Sequence, residues 1–277
     1  TPPYYMVYGG LLFEPLTSNY MAGVIEKLGS VYDREELYKD YKELVVLKRI
    51  AENENITLSE QDKTKALKLS KIFYDENVAN GGSFPGLTKE DCDTVFIDYV
   101  LVDKTKKELI EKNVKEVSES EARIMDFHVI EVSDYELANT LLDRLNNGEN
   151  CVKLATQFSE SDSISRSIAI NNETDDVKNT LGVMEDGSVS PIVTNKGKYV
   201  LYKCVKSYNA EATKKNKQRI KEERESAYLL NLYNEFVKEN PIDINESEFD
   251  KVCKNPWSHL SGRDFFTLWS EEANAGL

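Results

Sequence analysis

Residues 116–132 read EVSESEARIMDFHVIEV, and this stretch decides the fold of the central part of the chain. Its second half, from Ile124 to Val132, is rich in apolar and β-branched residues, which predicts a β-strand. Apolar residues then recur at helical spacing over 135–146 and again over 151–158, which predicts two helices. A strand followed directly by two helices indicates a compact α/β unit.

The same unit closes with residues 187–205, which read GSVSPIVTNKGKYVLYKCV. Residues 191–194 and 199–205 favour strands, and the turn-forming residues 195–197 between them predict a hairpin. The polar stretch 159–176 shows no clear period. The sequence therefore predicts the order β-α-α-β-β for this unit.

The segments on either side have helical patterns. Helices are predicted after Asp33, after a capping box formed by Thr57 and Glu60, and after Thr88. A long charged helix is predicted over 212–238. The tail carries aromatic residues that we expect to dock onto the body of the protein, because burying their apolar surface is favourable: Trp257, Phe265, Phe266 and Trp269.

These patterns predict an α+β fold in which both ends of the chain build one helical domain and the α/β domain is inserted between them. The predicted segments end where the composition and the periodicity of the sequence change. They are an apolar strand and turn segment over 1–30, a helical region over 31–118, the α/β domain over 119–205, and a helix with a tail over 206–277.

Composition limits the partners. The 277-residue chain has a formal net charge of −14, which argues against nucleic acid, because phosphate contacts depend on Lys and Arg. No apolar run approaches the ~20 residues of a membrane span. The chain begins at Thr1 without a Met, which is typical of a mature or trimmed form and leaves room for a lipid anchor upstream.

Metal and cofactor motifs are missing from the sequence. The two histidines lie far apart, and no phosphate-binding or dinucleotide-binding glycine motif occurs. We therefore expect neither a metal nor a cofactor. The four cysteines form no C-x-x-C pair and are expected to be buried thiols: Cys92, Cys151, Cys204 and Cys253.

Three stretches carry a resemblance to the parvulin peptidyl-prolyl isomerases. Residues 116–132 resemble the parvulin opening strand with its histidine, and ELANTLLDRLNNGENCVKLATQFSESDS at 136–163 resembles the helices that follow. Residues 187–205 resemble the parvulin end, G-x-x-S-x-P-V-x-T-x-x-G-y-H-I-I. The resemblance implies a parvulin-like fold from Val117 to Val205.

The flanking helices resemble those of PrsA- and SurA-type foldases. The similar stretches begin AENENITLSEQDK at residue 51 and NAEATKKNKQRIKEERESAYLLNLYNEF at residue 209. The resemblance implies a helical chaperone domain that helps secreted proteins fold outside the cytoplasm. It further implies a lipoprotein anchored at the cell surface of a Gram-positive bacterium.

The first residues resemble a different protein. PPYYMVYGGLLFEPLTSNYM at 2–21 is similar to a strand pair in the C-terminal PDZ region of HtrA/Deg proteases. No G-N-S-G-G nucleophile motif occurs, so the resemblance implies no protease activity. The alternative is an apolar strand that packs on the helical domain.

The parvulin resemblance implies a catalytic site in which some of the catalytic residues are replaced. Parvulins use two histidines and a neighbouring Cys or Asp to help the X-Pro bond over its barrier of ~20 kcal/mol. By this resemblance His128 matches the first histidine, Tyr199 replaces the second, and Ser161 occupies the Cys/Asp position. The candidate catalytic residue is therefore His128, in a degenerate site with Ser161 and Tyr199.

The resemblance also implies a damaged proline pocket. Counted back from Gly187, the pocket Phe becomes Val177, a core Phe becomes Gly182, and the pocket Met falls near Glu173. Burying a lone carboxylate in an apolar pocket is expensive. We expect an impaired isomerase domain, and the sequence leaves open whether the protein is an enzyme.

The expected function is an extracytoplasmic foldase or chaperone, monomeric or dimeric, that binds unfolded or nascent secreted proteins through a helical cradle. The alternatives are an active prolyl isomerase and a non-catalytic scaffold that binds one fixed partner. The candidate client-binding residues are aromatic and aliphatic side chains that could equally form the core: Tyr41, Leu44, Phe73, Tyr99, Tyr228 and Phe236.

Overall fold

The computed structural model describes residues 4–8, 12–16, 34–77, 79, 88–243, 263, 268, 269 and 271. The chain divides into two compact units, Thr1–Val114 with Ala227–Leu277, and Lys115–Ser226. The first unit is mainly helical and the second contains a four-stranded sheet. The predicted α+β class, with an α/β unit inserted between the two ends of a helical one, is confirmed. The domain boundaries predicted at residues 30, 118 and 205 stay a prediction.

The first unit includes long helices and a small sheet. Its helices before the inserted unit are α1 (Arg34–Asn53), α2 (Glu60–Asn77) and α3 (Lys89–Asn113). Strand β1 (Tyr4–Tyr8) pairs antiparallel with β2 (Leu12–Leu16) and with β7 (Ile242–Asp243). Described strands from both ends of the chain therefore share one sheet.

An apolar core joins α2 and α3. The rings of Phe73 and Phe96 meet with their centroids 5.5 Å apart. Leu268, from the C-terminal end, is buried in the same cluster, and Trp269 packs against it as predicted. Three further aromatics predicted to dock lie outside the described residues: Trp257, Phe265 and Phe266.

The N-terminal end of α2 differs from the sequence prediction. The capping box is formed by Ser59 and Asp62, two residues beyond the predicted pair. The Asp62 amide donates to Ser59 Oγ at 3.1 Å, and Asp62 Oδ2 accepts from the Ser59 amide at 3.0 Å. The hydrogen bonds from Ser59 and from Lys104 lower the pKa of Asp62 to about 2. Thr57 precedes the helix and is exposed.

Replacing Ser59→Ala should lower the free energy of unfolding by about 1 kcal/mol, because the helix loses a side-chain acceptor for its first amides. Thr57→Ala is the matched control and should change stability by less than about 0.5 kcal/mol. Urea unfolding followed by circular dichroism measures both. Equal losses in the two variants would show that the capping box is not centred on Ser59.

The second unit is built around an antiparallel sheet in the order β4-β3-β6-β5. Its strands are β3 (Ile124–Val132), β4 (Ser165–Ala169), β5 (Val193–Asn195) and β6 (Lys198–Lys206). Its helices are α4 (Glu119–Ala122), α5 (Tyr135–Asn146), α6 (Cys151–Phe158), α7 (Asp175–Leu181) and the start of α8 (Ala210–Glu239).

The two faces of the sheet pack against different helices. Alternate residues of β3 face opposite ways, so Ile130 and Val132 pack with α5 and α6 while Phe127 and Val129 pack with α7. All four side chains are at most 1% exposed. Strand β3 is therefore buried on both faces and paired at both edges.

Sequence patterns predicted most of this unit but missed β4 and α7. Residues 165–169 read SRSIA, with polar side chains at three of five positions and none fully buried. An edge strand of this kind has no apolar alternation to reveal it. The predicted strand over 191–194 is shifted, because β5 begins at Val193.

Helix α8 closes the open end of β3. The Ile124 amide donates to Thr213 Oγ1 at 3.0 Å, and the Asn209 amide donates to the Ile124 carbonyl at 2.9 Å. Asn216 Nδ2 donates to the Ala122 carbonyl at 2.9 Å. The polar groups at the start of β3 thus depend on residues beyond the predicted boundary at 205.

A fragment of residues 115–226 should unfold in one cooperative transition when it is expressed alone. A fragment of residues 119–205 should be less stable by about 2–4 kcal/mol, because it lacks the partners of Ile124 and Ala122. Denaturant titration of both fragments measures the difference. Equal stability would mean that α8 is not part of this folding unit.

Candidate functional site

A polar cleft of about 840 Å³ lies along β4 in the second unit. It is bordered by all five residues of β4, by residues 172–174, and by Asn195, Lys196 and Tyr202. Tyr202 is buried, and its ring lies edge-on to Phe127 at 5.7 Å. Burial raises the pKa of Tyr202, and the Asn195 side chain hydrogen-bonds to its hydroxyl. The cleft therefore has a buried aromatic residue beside polar groups.

Arg166 organises one wall of this cleft. Its Nη2 donates to Glu131 Oε2 at 3.0 Å and to Ser161 Oγ at 2.7 Å. Its Nε donates to the Ser163 carbonyl at 3.2 Å. The Arg166 side chain is 28% exposed, and its charge is compensated by Glu131.

The ion pair between Arg166 and Glu131 is part of a larger network that includes Lys198 of β6. Lys198 lies 3.8 Å from Glu131 Oε1 and 2.9 Å from Glu160 Oε2. Glu160 also accepts hydrogen bonds from the Ser133 hydroxyl and amide, at 2.7 and 2.8 Å. The Ser133 hydroxyl and Lys198 hold the pKa of Glu160 at about 2, and Glu160 raises the pKa of Lys198.

Because the pKa of Glu160 is lowered on folding to about 2, its carboxylate stabilises the protein above an unfolded pKa of about 4.3. That contribution should be lost as the pH falls from about 4.3 toward 2. Glu160→Gln should therefore be less stable than the wild type at pH 7, and the two should converge near pH 2. Thermal unfolding across this range measures the difference.

Asp162→Asn is the control for this pH series, since the described part of the structure gives Asp162 no hydrogen bond or ion pair. It should leave the pH dependence of stability unchanged. A constant difference between wild type and Glu160→Gln from pH 7 to pH 2 would contradict the proposed role of this carboxylate.

The predicted catalytic residues lie in three different environments. His128 Nδ1 lies 3.1 Å from Ser165 Oγ, across the β3–β4 pair. Ser161 is bound to Arg166. Tyr199 is in register with Val132, four residues along β3 from His128, or about 13 Å. His128, Ser161 and Tyr199 therefore have separate contact partners and do not form one site.

Tyr199 packs instead against an aromatic neighbour. Its ring meets Tyr135 with centroids 5.1 Å apart, on the sheet face that packs with α5 and α6. This position places its hydroxyl-bearing ring away from the cleft, which borders β4 and Tyr202. Tyr199 is thus part of a packing contact.

The residues matched to the proline pocket have ordinary structural roles. Val177 lies on α7 and is buried in the core between this helix and the sheet. Gly182 ends α7, where a Cβ would lie 2.7 Å from the Lys178 carbonyl oxygen, so the close approach requires glycine. Glu173, which the sequence matches to the pocket Met, is one of the residues that border the polar cleft. None of these positions provides an aromatic wall for proline.

The predicted client-binding residues separate into two groups. Leu44 and Phe73 are 6% and 2% exposed and belong to the core, and Tyr99 packs against the same cluster as Phe73. Tyr228 and Phe236 are half-buried on α8. The side chain of Tyr41 lies outside the described residues.

Sequence reasoning missed most of an apolar strip on the C-terminal half of α8. We define the strip as seven residues, none of them buried: Tyr228, Leu229, Leu230, Leu232, Tyr233, Phe236 and Val237. Leu230 is 61% exposed. The signal was present in the sequence, because seven apolar residues in ten positions are more than one helix face can bury.

Two kinds of site are absent from the described residues. No helix there is both long and apolar enough to cross a bilayer. No group of three or more His, Cys, Asp or Glu side chains is placed to hold a metal ion. Cys92, Cys151 and Cys204 are buried thiols, and Cys253 lies outside the described part of the chain.

Comparison with known families and sequences gives one match. A PDZ domain model matches residues 1–134. This range extends beyond the 2–21 stretch that resembles a PDZ strand pair, and it includes the helices α1 to α3. A search of curated protein sequences finds no relative.

Solved structures similar to this chain are foldases and chaperones. PrsA from Bacillus cereus is 15% identical, with 80% of this chain and 91% of that chain covered and a TM-score of 0.40. Foldase protein PrsA from Streptococcus pneumoniae is 16% identical, with 83% and 93% covered and a TM-score of 0.38. A SurA-like chaperone of Campylobacter jejuni is 13% identical, with 87% and 98% covered and a TM-score of 0.35. These are the same two kinds of protein that the flanking helices resemble in sequence.

Proposed function

We propose that this protein is a chaperone of the foldase type, which binds unfolded secreted polypeptides through the apolar strip of α8. The α/β unit contributes little or no prolyl isomerase activity. The observation that carries the proposal is that none of the seven apolar side chains of the strip is buried.

The strip fits the physical needs of a chaperone. Burying an exposed aliphatic side chain is worth ~1.5–3 kcal/mol, and this attraction is not directional, so it does not select one client sequence. Partly exposed Tyr228 and Phe236 add aromatic surface on the same helix. A row of such residues offers weak, adaptable binding to apolar segments of unfolded chains.

The polar lining of the cleft is poorly suited to prolyl isomerase activity. A catalyst of prolyl rotation needs an apolar slot for the ring, whereas this cleft is bordered by Arg166, Glu173 and several hydroxyl and amide groups. His128 lies 3.1 Å from Ser165 Oγ, and no other histidine occurs among the described residues. Each lost contact to the twisted amide reduces the rate about tenfold per 1.36 kcal/mol.

Replacing Leu230→Ser should weaken binding of unfolded clients by about tenfold, since one large exposed aliphatic group no longer contacts them. Light scattering of an aggregating client at several chaperone ratios measures the effect. Leu67→Ser is the matched control, because Leu67 is a helical leucine 40% exposed outside the strip. Equal loss in both variants, or no delay of aggregation by the wild type, would reject the strip as the client site.

The wild type should accelerate cis/trans exchange of a Xaa-Pro peptide by less than about tenfold over the uncatalysed rate, and His128→Ala should leave that rate unchanged. A protease-coupled or NMR exchange assay measures both. A high rate that His128→Ala abolishes would establish the alternative, an active isomerase. Binding of a single partner without any delay of aggregation would establish the other alternative, a fixed scaffold.

The proposed location is outside the cytoplasm, at the surface of a Gram-positive bacterium, with a lipid anchor upstream of Thr1. The proposal rests on the resemblance of the flanking helices to those of PrsA- and SurA-type foldases in sequence. Protease shaving of intact cells checks it: a protein that survives shaving and fractionates with the cytosol would contradict this location.

A further inference from the structure

Strand β4 is an edge strand with a free side. In the order β4-β3-β6-β5 it pairs with β3 on one side, and no other described strand pairs with it. It contains neither proline nor lysine, which commonly protect an edge from further pairing. Its outer side is therefore able to accept another strand.

The register shows which backbone groups of β4 point outward. The Val129 amide donates to the Ile164 carbonyl at 2.8 Å, so these residues form a hydrogen-bonded pair. Such pairs alternate along antiparallel strands, so the backbone groups of Arg166 point toward β3. The N–H and C=O groups of Ser165 and Ser167 consequently point away from β3, toward the outer side. There the Ser165 carbonyl accepts a hydrogen bond from the Ser163 hydroxyl at 3.5 Å, which is long and therefore weak enough for an added strand to replace.

The cleft reaches this outer side. Neighbouring side chains of a strand lie on opposite faces, yet all five consecutive residues of β4 border the cleft. A cavity on one face alone would border alternate residues of the strand. The lining also includes Tyr202, Asn195 and Lys196, which lie beyond β3, so the cleft extends from the edge of β4 over one face of the sheet. Asn172 and Thr174 also line it and provide further hydrogen-bonding groups.

We propose that this cleft binds an extended, proline-free polypeptide segment, which pairs with the outer edge of β4 as an added strand. The inference deepens the proposed function and rests on it, since the occupant is a segment of an unfolded client. Strand addition is a common mode of peptide recognition, in which main-chain hydrogen bonds provide the affinity.

The chemistry of the cleft suits this occupant. Backbone pairing is independent of side-chain identity, and a lining of hydroxyl and amide groups can hydrogen-bond to many side chains. The guanidinium of Arg166 is already neutralised by Glu131 and therefore places little demand on the charge of the segment. Proline is excluded at pairing positions, because it lacks the N–H that must donate to β4. The cleft should therefore prefer segments without proline, whereas a prolyl isomerase binds segments that contain it.

Ser167→Pro in the full chain tests the proposal from the side of the protein. It removes the outward N–H at residue 167, and proline is tolerated where the N–H of an edge strand faces solvent. Ser167→Ala is the matched control, since both variants lose the 2.7 Å bond from Ser167 Oγ to Asp126 while alanine keeps the N–H. The probe is a fluorescent ten-residue peptide of alternating Thr and Val.

Fluorescence anisotropy should show binding about tenfold weaker for Ser167→Pro and within about twofold of wild type for Ser167→Ala. Hydrogen exchange should show new protection at the amides of Ser165 and Ser167 when the peptide binds. Equal affinity of wild type and Ser167→Pro, or protection confined to residues 228–237, would overturn the proposal.

Peptide variants test it without changing the protein. N-methylation of alternate residues in one register should weaken binding about tenfold, whereas methylation in the other register should have little effect. Equal effects in the two registers would also overturn strand addition. The proposed chaperone function fails separately, because it requires delayed aggregation that Leu230→Ser reduces, whatever the peptide does at β4.

Discussion

The structure of the α/β unit depends on the burial of the apolar residues of β3 on both faces of the sheet. Phe127 and Val129 pack beneath one face and Ile130 and Val132 beneath the other, while β4 and β6 occupy the two edges. A strand buried in this way must have every backbone polar group paired, because an unpaired buried amide or carbonyl costs several kcal/mol. The end of β3 at Ile124 meets this requirement only through Thr213 and Asn209 of the following segment.

The location of the cleft follows from the same constraint. Since β3 occupies the interior of the sheet, β4 is left at its edge with one side unpaired and with serine and arginine side chains partly in water. Glu131, like Asp126, is a charged residue on the mainly apolar β3, and it is tolerated because Arg166 and Lys198 both lie near its carboxylate. Burial of a charge without such partners would be costly. The polar cleft therefore borders the edge strand β4, whose side chains the apolar core does not cover.

The three residues that the sequence marks as candidate catalytic groups are held by separate neighbours in this β-α-α-β-α-β-β unit. His128 bonds to a serine, Ser161 binds a guanidinium, and Tyr199 packs on Tyr135. These contacts follow from the pairing of β3 with β4 and β6 and from the packing of α5 on the sheet. Interaction with unfolded chains requires only accessible apolar surface and free backbone groups.

The sequence by itself determined the elements with strong local signals. The strand Ile124–Val132 and the helices Tyr135–Asn146 and Cys151–Phe158 have the predicted bounds, because apolar periodicity and the stop signal at Asn147-Gly148 act over a few residues. Only the tertiary structure decided which residues meet. It placed β4 at an edge, Leu44 and Phe73 in the core, and the strip around Leu230 in partial contact with solvent. Burial and register depend on residues far apart in the chain, and no local pattern contains that information.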